Sequence, residues 1–580
     1  MAQAEETPQS LKELPFETLL KDAYNFRGKR LVLLTGDVYG LFWNGKLERF
    51  ITLEQSLYQR LSPTFNLVRT DAATGIDFLH DDMRKEVARV MSSSVRNADD
   101  ELKRLASECR HDPLAQLVLL KNIDREFGAA MLAEDEKGSS KEEKTKPLCI
   151  IVRFSGSIFP KGDFSSLSEL DRQRLVYFLS WMHDPRFVES KNLVILVSDT
   201  KTEVNSKISV IPSAAHIEIQ LPDLVERKQF VEVYLKDHEI TFEGEIESFC
   251  QNTAGMTFPN LRDLLEVAHR KRVQITKKQV VEEVNAIVKA QLGDIVTVKY
   301  PSHSSKDLIG YGAVGEILKE VFTDCDSPET AVSAILVSGP NGVGKTYQVE
   351  AFAHDAGRVV IELSGIRGSL FGDTDKFFEL LRWRLFTLGK VLIEVDEAHT
   401  AMPSVHQKDT HETERRLGGN ILKMMGDESY LGKVLWVLMS SRPDELDPDI
   451  KSRAPIQIPM FDLEGEEREQ YVSSVFAREG VNLDGEILKE VMKATSHFSA
   501  RDYRDLRNRF RSKRKKKANI TLLEVLAKWR AGTSIILQRE VQSLIAAQNC
   551  SYPDLVPLKF NLSPEDLEAR IFLLKQKLHW

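Results

Sequence analysis

Short apolar runs rich in β-branched side chains alternate along this 580-residue chain with longer stretches of helical periodicity. Such runs, bounded by polar turns, predict buried strands, and their alternation with helices predicts a mostly parallel sheet covered on both faces. In the first half the strand candidates are 30–35, 65–69, 148–152, 193–197 and 217–221. Helical patterns lie between them at 53–61, over a long region at 82–132, and at 167–182. The pattern then becomes wholly helical, over 225–235, 244–250, 260–269 and 278–291. The second half repeats the plan, with strands at 334–337, 359–363, 391–395, 434–439 and 456–458 and helices at 464–479, 485–494, 499–513 and 521–531. A charged low-complexity stretch at 134–146 reads as a solvated loop.

The halves also share wording. Ile217-Glu218-Ile219-Gln220-Leu221-Pro222-Asp223-Leu224 stands at the first change from strands to helices, and Ile456-Gln457-Ile458-Pro459-Met460-Phe461-Asp462-Leu463 at the second. Residues 253–263 sit in the first helical region where 495–505 sit in the second, which predicts a tandem duplication. The expected division is an N-terminal tail (1–20), an α/β core (21–222), a helical lid (223–295), a second α/β core (296–460), a second lid (461–545) and a C-terminal helical segment (546–580).

Composition narrows the class. Lys and Arg number 79 against 87 Asp and Glu, for a formal charge of −8, which argues against a dedicated nucleic-acid coat or membrane-surface binder. Cys109, Cys149, Cys250, Cys325 and Cys550 lie too far apart for a zinc knuckle or a disulfide framework. The chain begins with a polar, acidic stretch unlike a signal peptide, and no apolar run approaches the ~20 residues that span a bilayer. These features lead us to expect a cytoplasmic protein that does not engage a membrane.

The candidate chemistry is in the second half. Gly339-Pro340-Asn341-Gly342-Val343-Gly344-Lys345-Thr346 satisfies G-x-x-x-x-G-K-[ST], follows strand 334–337 and precedes a helical stretch. Strand, glycine-rich turn and helix form a phosphate-binding loop, in which backbone N–H groups and a helix N-terminus face an anion. Lys345 then reaches the β- and γ-phosphates, and the Thr346 hydroxyl ligates Mg²⁺. Fifty residues later, strand 391–395 ends in Asp396-Glu397-Ala398-His399. Asp396 is placed to hold hydrated Mg²⁺, and Glu397, facing the other way, to polarise a water in line with the γ-phosphate. His399 reads as a loop residue rather than a catalyst. The expected ligands are ATP and Mg²⁺.

A full P-loop with both carboxylates downstream identifies the second half as a member of the AAA+ ATPases, and it resembles the AAA clade proper. Asp307-Leu308-Ile309-Gly310-Tyr311-Gly312 is similar to the clade's D-x-x-G-G segment, and the resemblance implies that Ile309 and Gly310 line the adenine pocket. Ser440-Ser441-Arg442-Pro443-Asp444-Glu445-Leu446-Asp447-Pro448 is similar to the clade's T-N-R-P-D-x-L-D-P. It puts Ser441 where an asparagine normally contacts the γ-phosphate and the catalytic water, a departure with shorter reach. The resemblance also implies that Arg453 is an arginine finger entering a neighbouring subunit's site. Ser499-Ala500-Arg501-Asp502 resembles the lid motif S-G-A-D, with Arg501 either on the phosphates or in a lid salt bridge. Leu370, Phe371 and Gly372 take the place of a pore loop that grips a threaded polypeptide, with Leu370 where an aromatic is usual. Residues 401–414 take that of a second pore-facing loop, and Glu414-Arg415-Arg416 resembles the clade's interface E-R-R. What the resemblance implies is two AAA+-type α/β modules, each a parallel-sheet core with a helical lid, assembled as a homo-oligomeric, hexameric ring that hydrolyses ATP and acts on a protein substrate or adaptor.

The first half lacks this chemistry. After strand 30–35 comes Gly36-Asp37-Val38-Tyr39-Gly40, with no G-K-[ST] and with a carboxylate that repels phosphate. Strand 148–152 runs into Arg153-Phe154 rather than Asp-Glu, so this module is expected to be catalytically dead. The basic run at 507–517 reads either as a solvated helix end, favoured by cations at the C-terminal dipole, or as a nucleic-acid contact. The second option carries the alternative function, a nucleotide-switched DNA-associated loader or scaffold with slow hydrolysis.

Overall fold

The apolar runs pair into two six-stranded sheets. The structure is a computed structural model that describes residues 14–91, 98–137, 145–363, 374–388, 390–402, 412–517, 519–529 and 535–580. The chain divides into two compact units at Thr276–Lys277.

The first unit carries β1 (Leu31–Gly36), β2 (Leu41–Asn44), β3 (Arg49–Thr52), β4 (Asn66–Asp71), β5 (Gly75–Asp77), β6 (Leu148–Val152), β7 (Leu193–Val197) and β8 (Ala214–Ile219). Its main sheet runs β5-β4-β6-β7-β1-β8, parallel except for the antiparallel β4–β5 edge. Period-2 alternation feeds two cores: Leu31, Ile150 and Val194 point to one face, and Val32, Ile151 and Ile195 to the other. That is why these strands read as continuous apolar runs. The helix Pro15–Asn25 starts within the segment expected as a tail and buries Phe16 and Leu20 in the second of these cores. The long helical region resolves into Asp81–Met91, Ala98–Glu108 and Pro113–Lys137, the last started by Asp112, whose carboxylate accepts from Leu114 and Ala115 N–H. Leu224–Leu235, Ile246–Asn252 and Phe258–Lys271 form the lid helices of this unit.

The second unit starts one helix earlier than the expected core. Lys277–Leu292 packs on an antiparallel edge strand, β9 (Val296–Lys299), where the Asn285 amide brackets the Val298 backbone with two 2.8 Å hydrogen bonds. Then follow β10 (Ala334–Ser338), β11 (Val359–Leu363), β12 (Val391–Val395), β13 (Val434–Ser440) and β14 (Ile456–Pro459). The sheet order is β14-β10-β13-β12-β11-β9, so β9-β11-β12-β13-β10-β14 repeats β5-β4-β6-β7-β1-β8 place for place. Lys299 ties β9 inward through Glu350 (3.1 Å), Glu362 (3.3 Å) and Glu394 (3.5 Å). Gly465–Ala477, Gly485–Ala494, Ala500–Lys516 and Leu522–Lys528 form a lid around Val472, Phe476, Leu506 and Phe510. The helix Ile536–Gln548 crosses the lid boundary expected at 545–546. It pairs with Pro564–Leu578 through Leu544, Ile545, Leu567 and Ile571, and this hairpin seats on Phe461 of the core.

Both sheets place a glycine at the same crossing. Gly36 has φ +90°, and a Cβ there would lie 2.2 Å from the Ile219 carbonyl oxygen. Gly339 has φ +149°, and its Cβ would lie 2.0 Å from the Met460 carbonyl oxygen. In each unit the chain leaves the inner strand against the strand that closes the sheet, and only glycine passes. Gly36 is therefore held by backbone geometry in a module without a P-loop. We expect Gly36→Ala to destabilise the first unit by roughly 2–4 kcal/mol through overlap and left-handed strain, read as a lower denaturant midpoint with nucleotide binding by the second unit intact. A loss under about 0.5 kcal/mol, the size of an ordinary surface substitution, would show that the crossing relaxes freely.

Candidate nucleotide-binding site

In open α/β sheets ligands bind beyond the carboxyl ends of the strands, where the strand order reverses. In the second unit that point is β10, between β13 and β14. Gly339 N–H donates to the Ser440 carbonyl (3.1 Å) and Met460 N–H to the Ser338 carbonyl (2.7 Å), so the loop emerges between the two neighbours. Gly342 (φ +93°) and Gly344 (φ +100°) turn the chain so that Lys345 opens the helix Lys345–Asp355. A helix N-terminus following a glycine loop is the arrangement that suits an anion.

Each loop position has a neighbour that explains it. A Cβ on Gly342 would stand 3.0 Å from Ser499 Oγ and 3.2 Å from Arg501 Cβ, and Arg501 N–H donates to the Gly342 carbonyl (3.1 Å), so the lid helix starts directly on the loop. Val343 is buried in the core and its carbonyl accepts from the Tyr311 hydroxyl (2.9 Å). Asn341 N–H donates to Gln542 Oε1 (3.2 Å), and Pro340 precedes it at the loop crest. The buried Lys345 ammonium donates to the Gly339 carbonyl (2.8 Å) and the Pro340 carbonyl (3.4 Å), folding the charge back over its own loop.

The cleft measures about 460 Å³, within the usual range for a nucleotide-sized ligand. Ile309, residues 341–348, Asp396 and Glu397 line one side of it, and Arg478, Arg501, Arg504 and Arg507 of the lid line the other. Gly310 (φ +77°) stands behind Ile309, where a Cβ would press on Leu463. Asp396 and Thr346, the pair suited to a divalent ion, both face this cleft. Asp396 Oδ1 accepts from Glu397 N–H (2.9 Å). Glu397 sits in the left-handed region at φ +46°, and its Oε2 accepts from Ser441 Oγ (3.0 Å). Serine at this position therefore still reaches the neighbouring carboxylate. Asp444 and Arg442, just beyond Ser441, are held by Lys575 (2.5 Å) and by the Trp580 ring under the guanidinium (4.2 Å).

Arg453 lies elsewhere. It follows the helix Pro448–Ser452, is exposed, packs its guanidinium against Gly426, and is outside the cleft lining. Leu370, Phe371 and Gly372 fall outside the described residues, as do 403–411 and the side chains of Glu414, Arg415 and Arg416.

The corresponding corner of the first unit is filled. The turn after β1 leads into the antiparallel β2–β3 hairpin instead of a helix. Asp37 is buried, and a Cβ on Gly40 would lie 2.2 Å from its Oδ2, so a carboxylate occupies the turn. Arg153 and Phe154 follow β6 as Asp396 and Glu397 follow β12, and Phe154 keeps the left-handed turn (φ +50°). Arg153 pairs with Glu54 (2.7 Å) and with Asp71. Against the effect of burial, hydrogen bonds from Thr74 and Arg153 hold the Asp71 carboxyl well below the usual range.

Tyr311 and Gln542 carried no sequence signal of a role, because each reaches the loop across a distant tertiary contact.

Three family profiles match in order along the chain. They are AAA+ chaperone, N-terminal Rossmann-like domain, over residues 15–220, AAA+ chaperone, second helical domain, over 225–293, and ATPase family associated with various cellular activities (AAA), over 335–461. Among curated proteins, Protein SAV of Sulfolobus acidocaldarius is 22% identical over 348 residues, covering 53% of this chain and 43% of its own length. The Cell division cycle protein 48 homolog of Archaeoglobus fulgidus is 22% identical, covering 53% of this chain and 46% of its own. Spastin of Drosophila mojavensis is 24% identical, with coverages of 40% and 30%. The chain thus spans less than half the length of these relatives. The repeated sheet, the P-loop at its second switch point and the ordered profile matches all agree: this chain belongs to the AAA+ ATPases, with two AAA+ modules in tandem.

Proposed function

We propose that the second module hydrolyses ATP within a homo-oligomeric, hexameric ring, and that the ring remodels or threads a protein partner. The observation that carries this reading is the convergence of the P-loop, Asp396, the Glu397–Ser441 pair and Arg501 on one cleft, with Arg453 exposed outside it. The cleft holds what one protomer can supply, and an exposed arginine after the helix Pro448–Ser452 is suited to complete a neighbour's. The first module (residues 14–276) then serves assembly or partner binding, since Asp37 and Arg153 replace the phosphate cradle and the metal carboxylate. Residues 277–460 are the active core, the helices from Gly465 to Lys528 its lid, and the hairpin of Ile536–Gln548 and Pro564–Leu578 closes the module. No helix among the described residues is long and apolar enough to cross a membrane, and a cytoplasmic setting fits this reading.

In this scheme residues 340–346 bind the phosphates, with Ile309 and Gly310 at the base. Thr346 and Asp396 would hold Mg²⁺, which would supply charge neutralisation at the phosphates. Glu397 orients and deprotonates the attacking water, Ser441 holds Glu397, and Arg501 brings the lid down on the phosphates. Leu370, Phe371 and Gly372 transmit the stroke to the partner. The DNA-associated alternative draws less support, because Glu479 gathers Arg511 (2.6 Å) and Arg514 of the basic helix into its own lid.

Burial lowers the Lys345 pKa to about 8, with Glu397 and Asp396 opposing the shift. Phosphate favours the ammonium, so the bound pKa exceeds the free one. Affinity is then complete below about 8 and lost as the pH rises through it. Calorimetry with ATP in EDTA is expected to show binding about tenfold weaker at pH 9 than at pH 7, and a flat profile would mean the amine is already fully charged in the free protein.

The functional test is ATP turnover per subunit across protein concentration. Turnover is expected to rise with concentration, to fall about 10³-fold in Arg453→Ala, and to fall comparably in Glu397→Gln with ATP binding retained. Concentration-independent turnover unaffected by Arg453→Ala would remove the trans arginine and the ring mechanism with it.

A further inference from the structure

One buried side chain at the site remains without a role. His399 lies on the short helix Ala398–Ala401 with only 8% of its side chain exposed. Its Nδ1 is 3.4 Å from Glu397 Oε2 and 3.0 Å from Ser440 Oγ. Ser441 Oγ donates to the same Oε2 at 3.0 Å. Ser440 Oγ in turn accepts from Arg442 N–H (3.0 Å), which ties the same ring nitrogen to the strand end. With its proton on Nδ1, the imidazole has a donor shared between Ser440 Oγ, its hydrogen-bond partner, and Oε2 at 3.4 Å; with the proton on Nε2, the Nδ1 lone pair accepts from the Ser440 hydroxyl and faces the carboxylate.

The first module supplies an internal control. Its strand β6 leads into the same left-handed turn, at Phe154, and the same four-residue helix, Ser155–Ile158, yet Gly156 stands at the position of His399. The turn and the helix therefore form without a histidine, and the histidine accompanies the carboxylate. We propose that His399 is a positioning residue for Glu397: its Nδ1–H, anchored on Ser440 Oγ and shared with Oε2, and the Ser441 hydroxyl, which donates to Oε2, hold the carboxylate in one orientation and leave Oε1 to engage a water. This deepens the hydrolytic reading above and rests on Glu397 acting on that water. Burial lowers the His399 pKa, with Glu397, Glu445 and Asp444 opposing and Arg442 reinforcing the shift, so the ring is neutral near pH 7 and its tautomer is what matters.

The test compares His399→Ala, His399→Leu and His399→Asn, whose amide can replace the Nδ1–H donor. Alanine and leucine are expected to lower kcat about tenfold or more with the KM for ATP unchanged, and asparagine to restore most of it. Histidine-selective ¹⁵N spectra of the nucleotide-free protein supply a readout independent of turnover: His399 is expected as the Nδ1–H tautomer, with its Nδ1 resonance moving in Glu397→Gln. An Nε2–H tautomer indifferent to Glu397→Gln, a leucine variant with wild-type kcat, or failure of asparagine to restore kcat would each overturn the proposal. Absence of turnover in the wild type would instead sink the hydrolytic reading, while the spectra still decide whether His399 donates to Glu397.

Discussion

The second module's site depends on a backbone close approach, where the Met460 carbonyl stands against a residue that can have no Cβ. That approach lets β14 lie beside β10 up to the point where the P-loop leaves the sheet. From there the rest is geometry. The loop passes between β13 and β14, Ser440 and Ser441 end on one flank, and the β12 carboxylates end one strand further along. A displaced β14 would widen the crossing and carry away the Phe461 seat on which the last two helices pack.

The two modules show that this constraint comes before chemistry. The first keeps the strand order, the crossing glycine and even the left-handed residue after the central strand, with Arg153 and Phe154 where the second has Asp396 and Glu397 and a hairpin where it has the P-loop and helix. Arg153 engages carboxylates of its own unit, and Asp37 fills the turn. A fold of this kind tolerates different groups at its strand ends because the buried strands, apolar on both faces, supply the stability on their own.

Most of the architecture was legible in the sequence for the same reason. Strands such as Leu148–Val152, Leu193–Val197 and Val391–Val395 are continuous apolar runs with sharp polar ends, and they stand where the pattern put them. The β2–β3 hairpin was not foreseen, since its half-exposed strands lack a clean alternation and lie where a degenerate loop was sought. Edge strands β5 and β9 are short and partly polar, and they escaped for a similar reason. The P-loop and the paired carboxylates carry their chemistry in local order, so spacing alone located them. Tyr311, His399 and Gln542 owe their places to contacts across the fold, His399 through Ser440 on the neighbouring strand, and local pattern carries no record of those.

The Gln542 contact has a consequence during synthesis. The side chain that receives the Asn341 amide is 201 residues further along the chain. At roughly 5–20 residues per second, a ribosome takes roughly 10–40 s to cover that interval. The glycine loop thus emerges well before the helix that closes its outer wall. A nascent chain carries a partly framed anion cradle through most of the second module's translation, and the cleft gains its outer wall only once Gln542 has been added.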